Sequence, residues 1–388
     1  MSPSNIEEWA YPTYIAFGAG AIVYLPGFCA SLGMTNALLV TDEGLRESVL
    51  VETALDLIRA DGLAVDLFAD VKGNPTAANV EAGVAAFKQG EHDGVVALGG
   101  GSGLDAAKAI AFMAGQTLPI WAFEEGAEEP GAANMDALAP VIAIPTTAGT
   151  GSEVGRASVI SDEAAKVKRI IFHPLMMPAV ALCDPELTRG LPAHLTAATG
   201  FDAFVHCFEA FCAPGFHPMA DGIALEGMRR IAMALPDAVA NGDDLNARAD
   251  MMAAATMGAT AFQKGLGGVH ALAHAVGALY DTHHGLTNAV LLPYLMEVNR
   301  DAIAGYMTIL GRALDLEFPD YDGVLAWVLA LRKEIGIPDD LAALGVDASR
   351  AEEIGARAVI DPTAEGNPIE LSAEDYAAIF MRACGGRR

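Results

Sequence analysis

The chain has 388 residues, 53% of them hydrophobic, which is more than one core usually serves and makes two domains the expectation. Fifty acidic residues against 23 basic ones give a formal net charge of −27, a sign that repels phosphate backbones and anionic lipid and so argues against nucleic acid and membrane partners. The five cysteines, Cys29, Cys183, Cys207, Cys212 and Cys384, show no paired CxxC spacing and are read as reduced, mostly buried thiols.

From the N-terminus, MSPSNIEEWAYP lacks the basic start and apolar core of a signal peptide, and no uncharged apolar run reaches the roughly 18 residues of a membrane span. A cytoplasmic protein is the expectation. The runs NALLVT (36–41), GVVALGG (94–100), VIAIPTT (141–147) and AVALCDP (179–185) read as parallel strands, because both faces are apolar and turn residues follow. Ala-rich helical stretches alternate with them, which predicts an α/β layer. After DPELTRGLP the pattern changes: from about 193 onward Ala, Leu and Met recur at helical spacing with Gly or Pro breaks. The expected organisation is therefore an α/β domain over 1–187 and an all-helical domain over 188–388.

Two glycine-rich loops follow predicted strands. LGGGSGLDAAKAIA (98–111) opens a helix whose first N–H groups have no intrahelical partner, so a phosphate can dock there. Leu104 stands where the third glycine of G-x-G-x-x-G belongs, and on spacing alone a structural tight turn fits as well as a nucleotide loop. PTTAGTGSEVGRASVI (145–160) adds hydroxyls at Thr146, Thr147, Thr150 and Ser152. Two such loops at strand ends can cradle a pyrophosphate jointly, whereas Thr and Ser that only close turns leave their pairing unexplained.

The helical half carries the polar residues that an apolar run does not need. GFDAFVHCFEAF (200–211) sets Asp202 four residues before His206, on one helix face. His270 and His274 repeat that spacing, and His284 lies in DTHHGL. A single histidine on an apolar helix is usually a hydrogen-bonded core residue. Several buried ligand types each need a partner, and imidazoles with a carboxylate suit Fe(II), Zn(II), Co(II) or Ni(II).

With FGAGA (17–21), the two glycine loops, GFDAFVHCFEAF and HALAHAVGALYDTHHGLTNAVLLP (270–293) on the page, the chain resembles the iron-containing, metal-dependent group III alcohol dehydrogenases, over nearly its whole length. That resemblance implies a dinucleotide-binding N-terminal domain, an all-α C-terminal domain, a metal between them and a homodimer. It implies Asp202, His206, His270 and His284 as metal ligands, Fe(II) with Zn(II) as the alternative, and His274 as the histidine near nicotinamide and substrate. Where the family commonly has proline before its last ligand this chain has His283; His284 is taken as the ligand because Gly285 follows it.

The same resemblance implies NAD as cofactor, held by Asp42, Gly99, Gly100, Gly101, Ser102, Thr146, Thr147 and Lys168, with the Asp42 carboxylate accepting from the adenosine ribose and repelling a 2′-phosphate. The implied reaction is hydride transfer between a small primary alcohol, or its aldehyde, and NAD, with His274 as proton relay. Related alternatives are a maleylacetate reductase, which acts without metal, and a dehydroquinate synthase-like lyase, whose basic phosphate-binding set this C-terminal half does not show. A non-enzymatic nucleotide-binding module has no reason to keep four metal ligands. After GTGSEV the family often has threonine and then an apolar or small residue, whereas here Gly155 and Arg156 stand. An arginine there suits a hydroxy acid or semialdehyde, unless it pairs with one of the protein's own carboxylates. His217 receives no role.

Overall fold

A computed structural model describes residues 9–11, 13–127 and 131–386. They divide into two units, Pro12–Gly190 and, with residues 9–11, Leu191–Arg388.

In the first unit the strands are β1 (Tyr14–Phe17), β2 (Asn36–Val40), β3 (Ala64–Phe68), β4 (Gly94–Gly99), β5 (Val141–Pro145), β6 (Ala157–Asp162), β7 (Val167–Phe172) and β8 (Val180–Cys183). Six form one sheet in the order β1-β8-β5-β4-β2-β3, with every neighbouring pair parallel. Helices α1 (Leu25–Ser31), α2 (Val49–Ala60), α3 (Ala77–Gln89) and α4 (Gly101–Met113) cover it. Side chains alternate along a strand, so each central strand feeds two cores. Leu38, Val40, Val95 and Ala97 pack with Val80, Leu104 and Ile110, while Ala37, Leu39, Val96 and Leu98 pack with Leu25, Val51 and Ile58. Burial on both faces is why these strands read as unbroken apolar runs. Each Val, Leu or Ile among them contributes about 1.5–3 kcal/mol when fully buried.

The strand order turns back between β2 and β4. The crevice beyond the carboxyl ends of strands at such a reversal is where open α/β sheets bind ligands. Asp42 follows β2 there, and the first glycine loop follows β4.

The four strands expected from apolar runs are β2, β4, β5 and β8. Strands β1, β3 and the antiparallel β6–β7 hairpin were not expected. β1 and β3 are sheet edges with several exposed side chains, so they lack the two-sided apolar signal.

The second unit is helical in all its regular structure among the described residues: α5 (Ala193–Cys212), α6 (Pro218–Ala240), α7 (Leu245–Ala261), α8 (Gly268–Tyr280), α9 (His284–Val298), α10 (Arg300–Ala313), α11 (Tyr321–Glu334), α12 (Ala351–Ala358) and α13 (Ala373–Cys384), with short 3-10 turns. α5 is buried almost all round from Thr196 to Cys212, in contact with α6, α7 and α9. Its Asp202, His206 and Glu209 form a polar stripe at i, i+4 and i+7 in that apolar cylinder. Gly285 lets α9 approach: a Cβ there would stand 2.6 Å from the Ala198 carbonyl oxygen and 2.9 Å from Asp202 Cβ. That contact brings the start of α9 against the middle of α5.

Candidate metal centre and nucleotide loops

Within the helical unit, Asp202, His206 and His270 are buried and offer ligand atoms that all lie within 4.8 Å of one another. His284 joins them from the first residue of α9: its Nε2 is 3.9 Å from Asp202 Oδ1, and its ring lies 5.3 Å from that of His270. His283 has a different local contact. It is the N-cap of α9, its Nδ1 accepting from the Leu286 N–H at 3.3 Å.

The donor chemistry fits a cation. His270 Nδ1 faces Glu209 Oε2 at 2.5 Å, which fixes the tautomer and leaves the Nε2 lone pair for a ligand. Burial holds His270 well below its ordinary range, with the nearby His206 adding to the shift, so it is a neutral imidazole. His206 is buried with its Nδ1 lacking a hydrogen-bond partner among the described residues, and Asn288 presents its amide nitrogen to the same centre. Three imidazole nitrogens and a carboxylate oxygen suit Fe(II) or Zn(II).

Glu209 was not singled out in the sequence, although it stands in the same run as Asp202 and His206. Burial pushes it up to about 7, against the pull of the Val269 and Gly267 amides at the start of α8. Gly267 makes room for it, since a Cβ there would lie 2.9 Å from Glu209 Oε1.

His274, one turn along α8, stacks on His284 with ring centres 5.3 Å apart. Its Nδ1 meets Asp361 Oδ2 at 2.9 Å, while Asp361 Oδ1 accepts from the Thr363 N–H at 2.9 Å and from the Thr363 hydroxyl at 2.6 Å. Burial pushes Asp361 up, but the His274 imidazole and the Thr363 donors hold it below the usual carboxylate range. Asp361 is 87 residues away in sequence and carries no local signal. His217 caps α6, its Nδ1 accepting from the Ala220 N–H at 3.2 Å, and stacks on Trp9 with ring centres 4.8 Å apart.

In the α/β unit the two glycine loops touch. Thr146 N–H donates to the Gly99 carbonyl at 2.9 Å. A Cβ on Gly100 would lie 3.3 Å from Thr147 Cγ2, and one on Gly101 2.5 Å from Thr150 Cγ2. Gly99 has φ +156 and faces Asp42: its missing Cβ would lie 3.4 Å from Asp42 Oδ2. Asp42 Oδ1 accepts from the Gly44 N–H at 2.9 Å, and burial raises this carboxyl. Gly100 caps α4 without a side chain, so the first N–H groups of the helix are left for an anion. Ser102 donates to the Gly73 carbonyl and Lys168 to Asn74 Oδ1 at 2.8 Å, which brings both predicted residues to the 73–74 loop.

A charge pair on α4, buried Lys108 with half-buried Asp105, escaped the sequence reading. Lys108 lies 3.2 Å from Asp105 and donates to the Ser152 and Ala157 carbonyls, while Asp105 accepts from the Ser152 hydroxyl at 2.5 Å and the Val159 N–H at 2.9 Å. Together they pin the second loop to α4; two charges three apart in LDAAKAIA were the available signal. Arg156 follows that loop. Its guanidinium lies 5.5 Å from the centre of the Phe172 ring, and among the described residues it has no carboxylate partner.

Two family models match the chain: "Iron-containing alcohol dehydrogenase" over residues 12–185 and "Fe-containing alcohol dehydrogenase family, C-terminal" over residues 196–384. A 4-hydroxybutyrate dehydrogenase of Cupriavidus necator is 41% identical over 386 residues, covering 96% of this chain and 98% of the relative. An NAD-dependent methanol dehydrogenase of Bacillus methanolicus is 36% identical over 381 residues, covering 96% and 98%. A crystal structure described as a 1,3-propanediol oxidoreductase superposes with a TM-score of 0.92 at 36% identity, covering 98% of this chain and all of that one.

Proposed function

The chain belongs to the iron-containing alcohol dehydrogenase family, and from that premise we propose that it is a metal-dependent, NAD-linked oxidoreductase acting on short primary alcohols, or their aldehydes, that carry an acidic group. The convergence of Asp202, His206 and His270, with His284 beside them, carries the reading.

These four residues would hold Fe(II), or Zn(II), and the bound ion supplies Lewis acidity toward an alcohol or carbonyl oxygen while NAD supplies the hydride acceptor. His274 handles the proton: with Nδ1 committed to Asp361, its Nε2 takes the hydroxyl proton and passes it to solvent. In this reading the N–H groups at the start of α4 receive the pyrophosphate beside Thr146 and Thr147, Ser102 and Lys168 approach it on the side of the 73–74 loop, and Asp42 accepts from the ribose.

Two observations favour an acidic substrate. Arg156 has its guanidinium fork without a carboxylate among the described residues, and a relative alike over nearly the full length is named for 4-hydroxybutyrate. The test compares kcat/KM for 4-hydroxybutyrate and 1-butanol. The wild type should prefer the hydroxy acid, and Arg156→Ala should lose about 10- to 100-fold on it alone, the range of one charge-assisted hydrogen bond. Preference for butanol in both proteins identifies an ordinary primary alcohol dehydrogenase with a structural Arg156.

The assembly we propose is a homodimer. β1 is a sheet edge, and Tyr14, Phe17, Val23 and Tyr24 on and after it are exposed apolar side chains that a second copy would cover. The compartment we propose is the cytoplasm, which keeps free thiols such as the five here reduced. Among the described residues no helix is long and apolar enough to cross a membrane.

A further inference from the structure

Asn288 is fully buried one turn after His284 on α9, so both side chains share a helix face. Its Nδ2 donates to Asp202 Oδ1 at 2.7 Å and lies 3.2 Å from His270 Nε2 and 3.1 Å from His284 Nε2. One amide nitrogen is thus the common neighbour of ligand atoms from three helices, α5, α8 and α9. Its Oδ1 is buried with no hydrogen-bond partner among the described residues.

The orientation follows from charge. Turned the other way, Oδ1 would face the Asp202 carboxylate oxygen, which is only an acceptor, at the 2.7 Å where Nδ2 now donates. The amide therefore presents its N–H groups to the ligand set and leaves its own oxygen unsatisfied, the reverse of what a core-filling asparagine would do. The residues after it, Ala289, Val290, Leu291 and Leu292, fill the same core with apolar side chains.

We propose that Asn288 is a positioning residue for the metal centre: it holds Asp202, His270 and His284 in convergence, and cation affinity depends on it. Two N–H groups cannot saturate three neighbouring ligand atoms, so lone-pair capacity remains for a cation with ligand distances near 2.0–2.2 Å. The inference rests on the metal reading of this site.

The experiment titrates chelator-treated, full-length protein with Co(II) alone, recording the visible d–d spectrum and the dissociation constant by chelator competition, with circular dichroism as the check on folding. Wild-type protein should bind one Co(II) per chain. Asn288→Ala, and Asn288→Leu, which keeps nearly the volume without donors, should bind it about 10- to 100-fold more weakly with a displaced d–d spectrum, the usual cost of losing a residue that orients metal ligands. A folded variant of either kind with wild-type affinity and spectrum overturns the proposal and leaves Asn288 as a packing residue. Wild-type protein that takes up no Co(II) overturns the metal reading itself, and the proposal with it.

Discussion

Glu209 and His270 are 61 residues apart in the chain, yet Glu209 Oε2 lies 2.5 Å from His270 Nδ1 while Oε1 accepts the Val269 N–H at 2.7 Å. One carboxylate therefore satisfies an unpaired amide at the start of α8 and orients the ring of His270, a proposed metal ligand, on the same turn. Glu209→Ala should weaken metal binding about 10- to 100-fold. It should also cost about 1–3 kcal/mol, because buried donors lose their acceptor. Glu209→Gln, which keeps an acceptor oxygen, should retain more of both. Metal analysis after dialysis and urea unfolding of the chelator-treated protein measure the two effects separately.

Gly285 sets the distance between α9 and α5. A methyl group at that position meets backbone, the Ala198 carbonyl oxygen at 2.6 Å, and that contact cannot rotate away. Gly285→Ala should destabilise the protein by about 1–3 kcal/mol, as overpacking does. It should also lower bound metal, since Asp202 and His284 sit on the two surfaces pushed apart. A thermal melt and metal content decide this; a loss of stability with full metal occupancy would mean that the ligands adjust independently of the helix contact.

Asp42 packs against Gly99, at the reversal of strand order. In the role proposed for it, that carboxylate would accept from a ribose and repel a 2′-phosphate. NAD should be used with higher kcat/KM than NADP, and Asp42→Gly should narrow or reverse the ratio, chiefly through KM for NADP. Equal use of both cofactors by the wild type would remove this role from Asp42.

The thiols should be inert in the folded chain. Burial pushes Cys29 and Cys384 up to about 11 and Cys207 up to about 12, and raises Cys212 further. The nucleophilic species is the thiolate, so at pH 7.5 these four are neutral and slow to react. Brief iodoacetamide treatment should leave their peptides unmodified in native protein and alkylate all of them in urea. Rapid native labelling of Cys207 would show that α5 opens readily.

Much of this was legible in the sequence because burial writes itself into composition. The central strands β2, β4, β5 and β8 are covered on both faces and read as apolar runs, whereas β1 and β3 lie at edges and give no such signal. The i, i+4 pairs Asp202/His206 and His270/His274 stood out for the same reason: a polar residue in an apolar helix needs an explanation. What sequence spacing cannot show is contact between distant elements. The Glu209–His270 and Asp361–His274 pairs and the amide of Asn288 exist only once α5, α8, α9 and the 361–363 turn are packed. Likewise, the sequence preferred His284 to His283 on Gly285 alone, and that His283 caps α9 is visible only in the fold.

The most direct test of the central claim is the metal dependence of NADH oxidation with a short aldehyde such as succinic semialdehyde, measured on protein stripped by a chelator and then given Fe(II) or Zn(II). Stripped protein should be inactive and recover on addition of metal in proportion to the amount bound. His270→Ala should remain inactive at any metal concentration while still binding NAD. Full activity in stripped protein would contradict the account and favour metal-free catalysis of the maleylacetate reductase kind.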